Sequence, residues 1–445
     1  MTESNRSIAV KKAPKSFVGK LKFLGPGFIL GASIVGSGEL IATTVLGAKA
    51  GFITFWVILV SCFIKVAIQL EFGKNAIISG KPLMAEFNDL NGLKLGKGHW
   101  AVWSIFLLTL FKIVQLGGML GGAAITIHLI FPSFSLPWIV SFLGLSLILF
   151  FMKNYYPVIE KTSTFLVFGF TLLTLVSLIS LFSTPYSFTW NQVASGLDFK
   201  LPSELIFVAI GAFGITGVAS DEIIAYTYWC QEKGYAKYVG KNDGSEDWKE
   251  RAKGWISIMY LDAFVAMFIY TLVTASFYLL GSAILHGKQG IPDGLDLIQS
   301  LASIYTEVLG PNARLAYLLG AFFALFSSAF ATLAYWTRLF PDVFSQMGWI
   351  EKSEKAWTKT VKWLSVIFPV LWVLIFVFIK EPGFMVLAGG AIGSVMLLVV
   401  VFGGIQFHRK NLGLHLFNGP FSKIMFWLST LSILLVSAYG IYKLF

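Results

Sequence analysis

Residues 31–44 read GASIVGSGELIATT, and residues 214–227 read GITGVASDEIIAYT. Aligned, seven of the fourteen positions coincide: Gly31/Gly214, Val35/Val218, Ser37/Ser220, Glu39/Glu222, Ile41/Ile224, Ala42/Ala225 and Thr44/Thr227. Both stretches set glycines and then carboxylates inside long apolar runs. Glycine weakens a helix locally, and a carboxylate is costly in hydrocarbon. Non-helical backbone survives at that depth only where it lines a cavity enclosed by protein. The pair therefore predicts two helices broken mid-membrane and facing each other across a binding site.

The rest of the chain supports a membrane setting. Of its 445 residues, 56% are hydrophobic and 13% charged, and the mean hydropathy is +0.76. A soluble protein of this size needs more charge to cover its exterior. Apolar runs of about 20 residues recur, each long enough to cross a ~30 Å hydrocarbon core as a helix, and the short alternating segments of a membrane barrel are not seen. We read eleven spans, at 24–48, 53–72, 101–131, 136–152, 160–182, 204–230, 255–284, 312–340, 362–379, 383–406 and 424–444. The connections between them are too short for separate domains. Residues 1–23 are a basic tail without the apolar core and cleavage site of a secretory leader. Cys62 and Cys230 lie in or beside spans and read as small hydrophobes rather than a disulfide.

Charge predicts orientation. With the N-terminus in the cytoplasm, 26 of the 34 Lys and Arg fall on the cytoplasmic side and six on the other, and Lys65 and Lys112 remain within spans. This is the positive-inside pattern. The net charge of +11 is thereby assigned to topology and anionic lipid, with no nucleic-acid partner. Eleven spans put the C-terminus outside, and the expected location is the cytoplasmic (inner) membrane of a prokaryote. The 183-residue offset between the two matched stretches covers five spans, so spans 1 and 6 run in opposite directions. The expected fold is all-α, an inverted five-plus-five repeat (about 24–182 and 204–406) with an appended eleventh helix at 424–444.

At the breaks, Gly36-Ser37-Gly38 precede Glu39, and the series Gly211, Gly214, Gly217 precedes Asp221 and Glu222. An alternative is that the glycines permit close helix packing and the acids sit at helix ends. Lys112, beside Gln115 in span 3, is either a snorkelling or interior-paired lysine or a counter-ion for Glu39 or Asp221. Lys65 is read as snorkelling, and His128 as buried and satisfied. Ser327, Ser328 and Thr332 are assigned to hydrogen bonding between helices. Trp100, Trp138, Trp255 and Trp363 are assigned to an aromatic belt.

The run LGPGFILGASIVGSGELIATTVLGAKAGF, residues 24–52, resembles the first span of the NRAMP (natural resistance-associated macrophage protein) metal transporters. Further similarity lies in Lys65…Ile68-Gln69, in Ser79-Gly80-Lys81-Pro82-Leu83 and in Gly122-Ala123-Ala124-Ile125. The resemblance implies a LeuT-type fold and a transporter rather than an enzyme, with the metal ion as cargo and no cofactor. The departures fall on the chemistry. The family's Asp-Pro-Gly-Asn stands here as Gly36, Ser37, Gly38, Glu39, and its Met-Pro-His as Ala219, Ser220, Asp221. The span-3 acids that the family uses for protons align with Leu116 and Met119. Glu39, Asp221 and Glu222 offer hard oxygen ligands without soft sulfur, which suits Mg²⁺, Mn²⁺ or Ca²⁺. Alanine at Ala219 leaves room for a partly hydrated ion, and carbonyls near Gly36 and Thr216 are candidate ligands. The loss of the family's histidine and span-3 acids points to transport without proton coupling, the alternative being that Glu39, desolvated in the empty site, itself exchanges a proton for the ion. The rival expectation is a carrier of amino acids or other small organic solutes on the same fold. Its warrant is Gly-Ser-Gly, whose free N–H groups suit a substrate carboxylate, although Glu39 would repel that group.

Overall fold

The computed structural model describes residues 10–27, 36, 38–153, 156–287, 295–414, 416 and 419–444. Among these residues eight helices are long and apolar enough to cross a bilayer: Phe55–Ser79, Trp100–Ile130, Ser203–Glu232, Glu246–Ile284, Ala313–Met347, Glu354–Ile379, Pro382–Leu414 and Pro420–Tyr439. They form spans 2, 3, 6, 7, 8, 9, 10 and 11. The shorter apolar helices Leu136–Met152 and Val167–Ser183 stand at spans 4 and 5. Span 1 is described from Gly38, as a π-helix Gly38–Thr43 followed by an α-helix Thr44–Ala50. Residues 28–35 and 37, with Ser37 among the expected site residues, lie outside the described set.

Several helices outrun their apolar cores. Span 7 begins at Glu246, where the Ser245 side chain accepts from Trp248 N–H, and span 9 begins at Glu354, where Ser353 accepts from Ala356 N–H. Hydropathy marks only the part of a helix that lies in lipid, whereas the cap marks where the backbone ladder starts. The connection 285–311 also holds structure, the helix Leu295–Leu309, whose Leu297, Ile298, Leu301, Ala302, Ile304 and Tyr305 are buried. Span 3 is interrupted rather than continuous: its halves Trp100–Phe111 and Ile113–Ile130 meet at Lys112.

Spans 1 and 6 lie antiparallel. Tyr235 hydroxyl donates to Phe23 carbonyl (2.6 Å) at one end, and Gly38 packs on Ile215 carbonyl at the middle. Spans 6 and 10 touch backbone to backbone. A Cβ on Gly214 would stand 1.8 Å from Gly390 carbonyl, and one on Gly390 would stand 2.1 Å from Gly211 carbonyl. Gly211 and Gly214 therefore serve close packing, inside the unbroken helix Ile206–Ile215, and of that series Gly217 alone belongs to a break.

The basic segments gather at one face. Lys12 pairs with Glu250 (2.7 Å), Lys410 with Glu86 (2.6 Å), and Arg338 with Glu232. Trp255, expected in an aromatic belt, is buried there instead. Its indole donates to Lys11 carbonyl (2.9 Å) and its ring packs against Phe23 and Tyr238. Trp138 and Trp363, at 77% and 62% exposed, face outward as belt residues do.

Candidate functional site

Backbone accounting locates the site. The first half of span 6 ends at Ile215. Thr216 is extended (φ −76°, ψ 149°), Gly217 takes φ +60°, and a new helix starts at Ser220. A residue with a side chain is strained at the Gly217 φ, and glycine is not. Such a break orphans carbonyls on one side and N–H groups on the other, and buried orphans need partners.

Two charged side chains supply them. Glu39, fully buried, accepts from Gly217 N–H at Oε1 (3.2 Å) and lies 3.1 Å from Thr274 hydroxyl of span 7. Lys65, also fully buried, donates from Nζ to Phe213 carbonyl (2.7 Å) and Thr216 carbonyl (2.6 Å). Ser61, one turn before Lys65, places its hydroxyl 3.0 and 3.1 Å from the same carbonyls. The expectation of a snorkelling Lys65 is thus overturned. The helix C-terminus carries partial negative charge and orphan carbonyls, and an ammonium there is stabilised without reaching water. The Thr216 carbonyl, a candidate ligand from sequence, is already engaged.

Asp221 opens the second half of span 6 with Glu222, both in its first turn, where the helix dipole favours anions. The Asp221 carboxylate is paired with Lys112, whose side chain is 1% exposed. Lys112 is thus an interior-paired lysine, held at the interruption of span 3, with Asp221 as its partner. Gln115 is buried with Oε1 unpartnered and its side chain presses on Gly389 of span 10. Gly36, and Ala219 and Ser220 at the span-6 break, are buried, and Ser220 hydroxyl has no partner among the described residues. Ala219 opens no visible room, being 1% exposed.

The three acids are not assembled as a cage. Among the described residues no group of three or more His, Cys, Asp and Glu side chains converges to hold a metal. Glu39 is drawn to Gly217 and span 7, and Asp221 to Lys112. Yet each acid keeps a buried oxygen without a hydrogen-bond partner among the described residues: Glu39 Oε2, Asp221 Oδ1 and Glu222 Oε2. Leu116 and Met119 are buried apolar residues of span 3.

Other expected residues resolve plainly. His128 is only partly buried, with Nδ1 2.9 Å from Phe134 carbonyl. Ser327 and Thr332 donate within their own helix, to Ala324 and Ser328 carbonyls, rather than across to a neighbour. Cys62 and Cys230 are free and buried. Sequence reasoning missed Asp262 and Asp342. Asp262 Oδ1 accepts from Gly25 N–H (2.8 Å), Oδ2 from Gly27 N–H (2.5 Å), and Oδ2 also from Tyr226 hydroxyl (3.1 Å). Asp342 Oδ2 accepts from Tyr228 hydroxyl (2.8 Å) and Met84 N–H (3.2 Å). Two tyrosines two residues apart, on opposite faces of one helix, are the signal that each face meets its own polar partner.

Long apolar helices, with span 1 antiparallel to a span 6 that is broken beside buried charge, define an integral membrane protein of the LeuT-type fold. The chain belongs to the Nramp family: the family described as natural resistance-associated macrophage protein-like matches residues 27–443. It is 24% identical over 311 residues to the divalent metal cation transporter MntH of Listeria monocytogenes, covering 67% of this chain and 64% of that relative. The MntH of Latilactobacillus sakei is 24% identical over 327 residues, 70% of this chain and 65% of the relative. The match thus spans just under two thirds of these relatives' length. In structure it is similar to the Eremococcus coleocola manganese transporter, with TM-score 0.71, 16% identity, and 99% and 90% of the two chains covered. It is also similar to MhsT in complex with L-phenylalanine, with TM-score 0.56, 15% identity, and 98% and 100% covered.

Proposed function

We propose that the protein moves a divalent metal cation, Mg²⁺ or Mn²⁺, across the membrane by alternating access. The observation that carries this reading is the set of three buried carboxylate oxygens, on Glu39, Asp221 and Glu222, left without partners among the described residues beside the break of span 6. A buried unpartnered carboxylate oxygen is costly, and a hard divalent cation is the species that offsets that cost with oxygen ligands alone. The names of the MntH relatives agree in cargo class. Before cargo enters, Lys112 holds Asp221; a divalent ion replaces that ammonium and draws the acids inward.

Asp262 and Asp342 tie the second half of span 6 to the entry of span 1 and to span 8 at the basic face. That face is the cytoplasmic one in this reading, with the N-terminus inside, so the arrangement corresponds to a closed inner gate. Apolar Leu116 and Met119 leave span 3 without a proton relay, which supports uncoupled transport. The second reading, an amino acid or other small organic solute, draws on two lysines at the breaks, Lys65 and Lys112, which suit an anionic group. Melting curves separate the two: Mg²⁺ or Mn²⁺ raises the melting temperature if the metal reading holds, and amino acids do so if it fails. Proteoliposome uptake with Mg²⁺, Mn²⁺ and Ca²⁺, read with an internal pH dye, then gives the preferred ion. The expected pH trace is flat, and acidification that tracks uptake contradicts the uncoupled mechanism.

A further inference from the structure

Span 2 presents Ser61 and Lys65 one turn apart, and both reach the C-terminal end of helix Ile206–Ile215. The Lys65 ammonium is fully buried, with two carbonyl acceptors at 2.6 and 2.7 Å and the Phe213 ring 5.1 Å away. Two carbonyls and an aromatic face at the negative end of a helix dipole make a seat for a small monovalent cation. In this chain a covalently attached ammonium fills that seat. Glu39, on the other side of the same break, takes the Gly217 N–H.

We propose that Lys65 is a resident cation of the transport site. It holds the span-6 break open by saturating its carbonyls, and it withholds those carbonyls from cargo. Cargo is thereby confined to the carboxylate side of the break. The protein needs no diffusible monovalent ion to set the geometry, because the ion is tethered. The effect on cargo rests on the metal reading above, whereas the seat itself does not.

The test removes the tether and offers the cation back. Lys65→Ala opens space for one small ammonium ion, whereas Lys65→Met fills the same space without charge. Melting curves are recorded for both variants and the wild-type chain, with and without millimolar methylammonium and with no divalent ion present. The expected result is a melting temperature several degrees lower in both variants, restored by methylammonium in Lys65→Ala only. Divalent uptake is expected to fall about tenfold or more in both, as loss of charged hydrogen bonds implies, and to recover with methylammonium in Lys65→Ala alone. Equal response of the two variants to methylammonium overturns the proposal, as does wild-type stability of Lys65→Met. Failure to recover Lys65→Ala folded, with methylammonium present throughout purification, also counts against it. Because the melting readout needs no cargo, it stands even if the wild-type chain carries no divalent ion.

Discussion

Lys112 is buried and its partner Asp221, on a different span, is part-buried, and removing one member leaves an uncompensated charge. Such a loss typically costs about 3–5 kcal/mol, whereas replacing both partners is often neutral. We therefore expect Lys112→Met to lower the melting temperature sharply and Lys112→Met/Asp221→Asn to restore most of it. Denaturation of the two single variants and the double variant measures this directly, and additive losses would rule out the pairing. The sequence leaves Lys112 two candidate partners, Glu39 and Asp221. Lys112 is visible as a charge in an apolar run, but only the fold sets it against the break of span 6. Lys65 shows the same limit more strongly: a lysine in an apolar helix reads as snorkelling, and nothing local says that orphan carbonyls lie across from it.

At the scale of elements, the glycines divide by what they touch. Gly214 meets the Gly390 backbone, whereas Gly413 has nothing within 4 Å of an added Cβ. Gly214→Ala should therefore separate spans 6 and 10 at a cost of about 1–3 kcal/mol or more, while Gly413→Ala leaves the melting temperature unchanged. The paired stretches made the span-6 break legible, because glycines and carboxylates recur there as in span 1. Those stretches did not say which glycines break the helix and which let it be approached. The helix Leu295–Leu309 was legible in principle, since Leu295, Ile298, Leu301, Ala302, Tyr305 and Leu309 follow helical spacing. Its surroundings in a short polar connection hid it. The second half of span 6 is held by Asp262 through Gly25, Gly27 and Tyr226. Losing that clamp should release the half-helix and bare Cys230, which is 1% exposed. In a Cys62→Ser background, Asp262→Ala is expected to raise the rate of Cys230 alkylation about tenfold, the scale of a lost buried hydrogen bond or two. An unchanged rate contradicts the clamp.

For the whole molecule, the eight long and two shorter apolar helices of the described residues stand at expected spans and were readable because hydropathy is summed over many residues. The ion pairs Lys12–Glu250, Lys410–Glu86 and Arg338–Glu232 gather the basic segments on one side. Cysteines at Lys12 and Glu351 should be labelled from the cytoplasmic side and one at Asn191 from the opposite side, in a chain lacking Cys62 and Cys230. The central claim is that cargo binds at the crossing of spans 1 and 6, against the free oxygen of Glu39. Divalent-ion uptake into proteoliposomes by Glu39→Gln, compared with the wild-type chain, tests it most directly. The account predicts folded Glu39→Gln protein with uptake reduced to the level of empty vesicles, and uptake at the wild-type rate would contradict it.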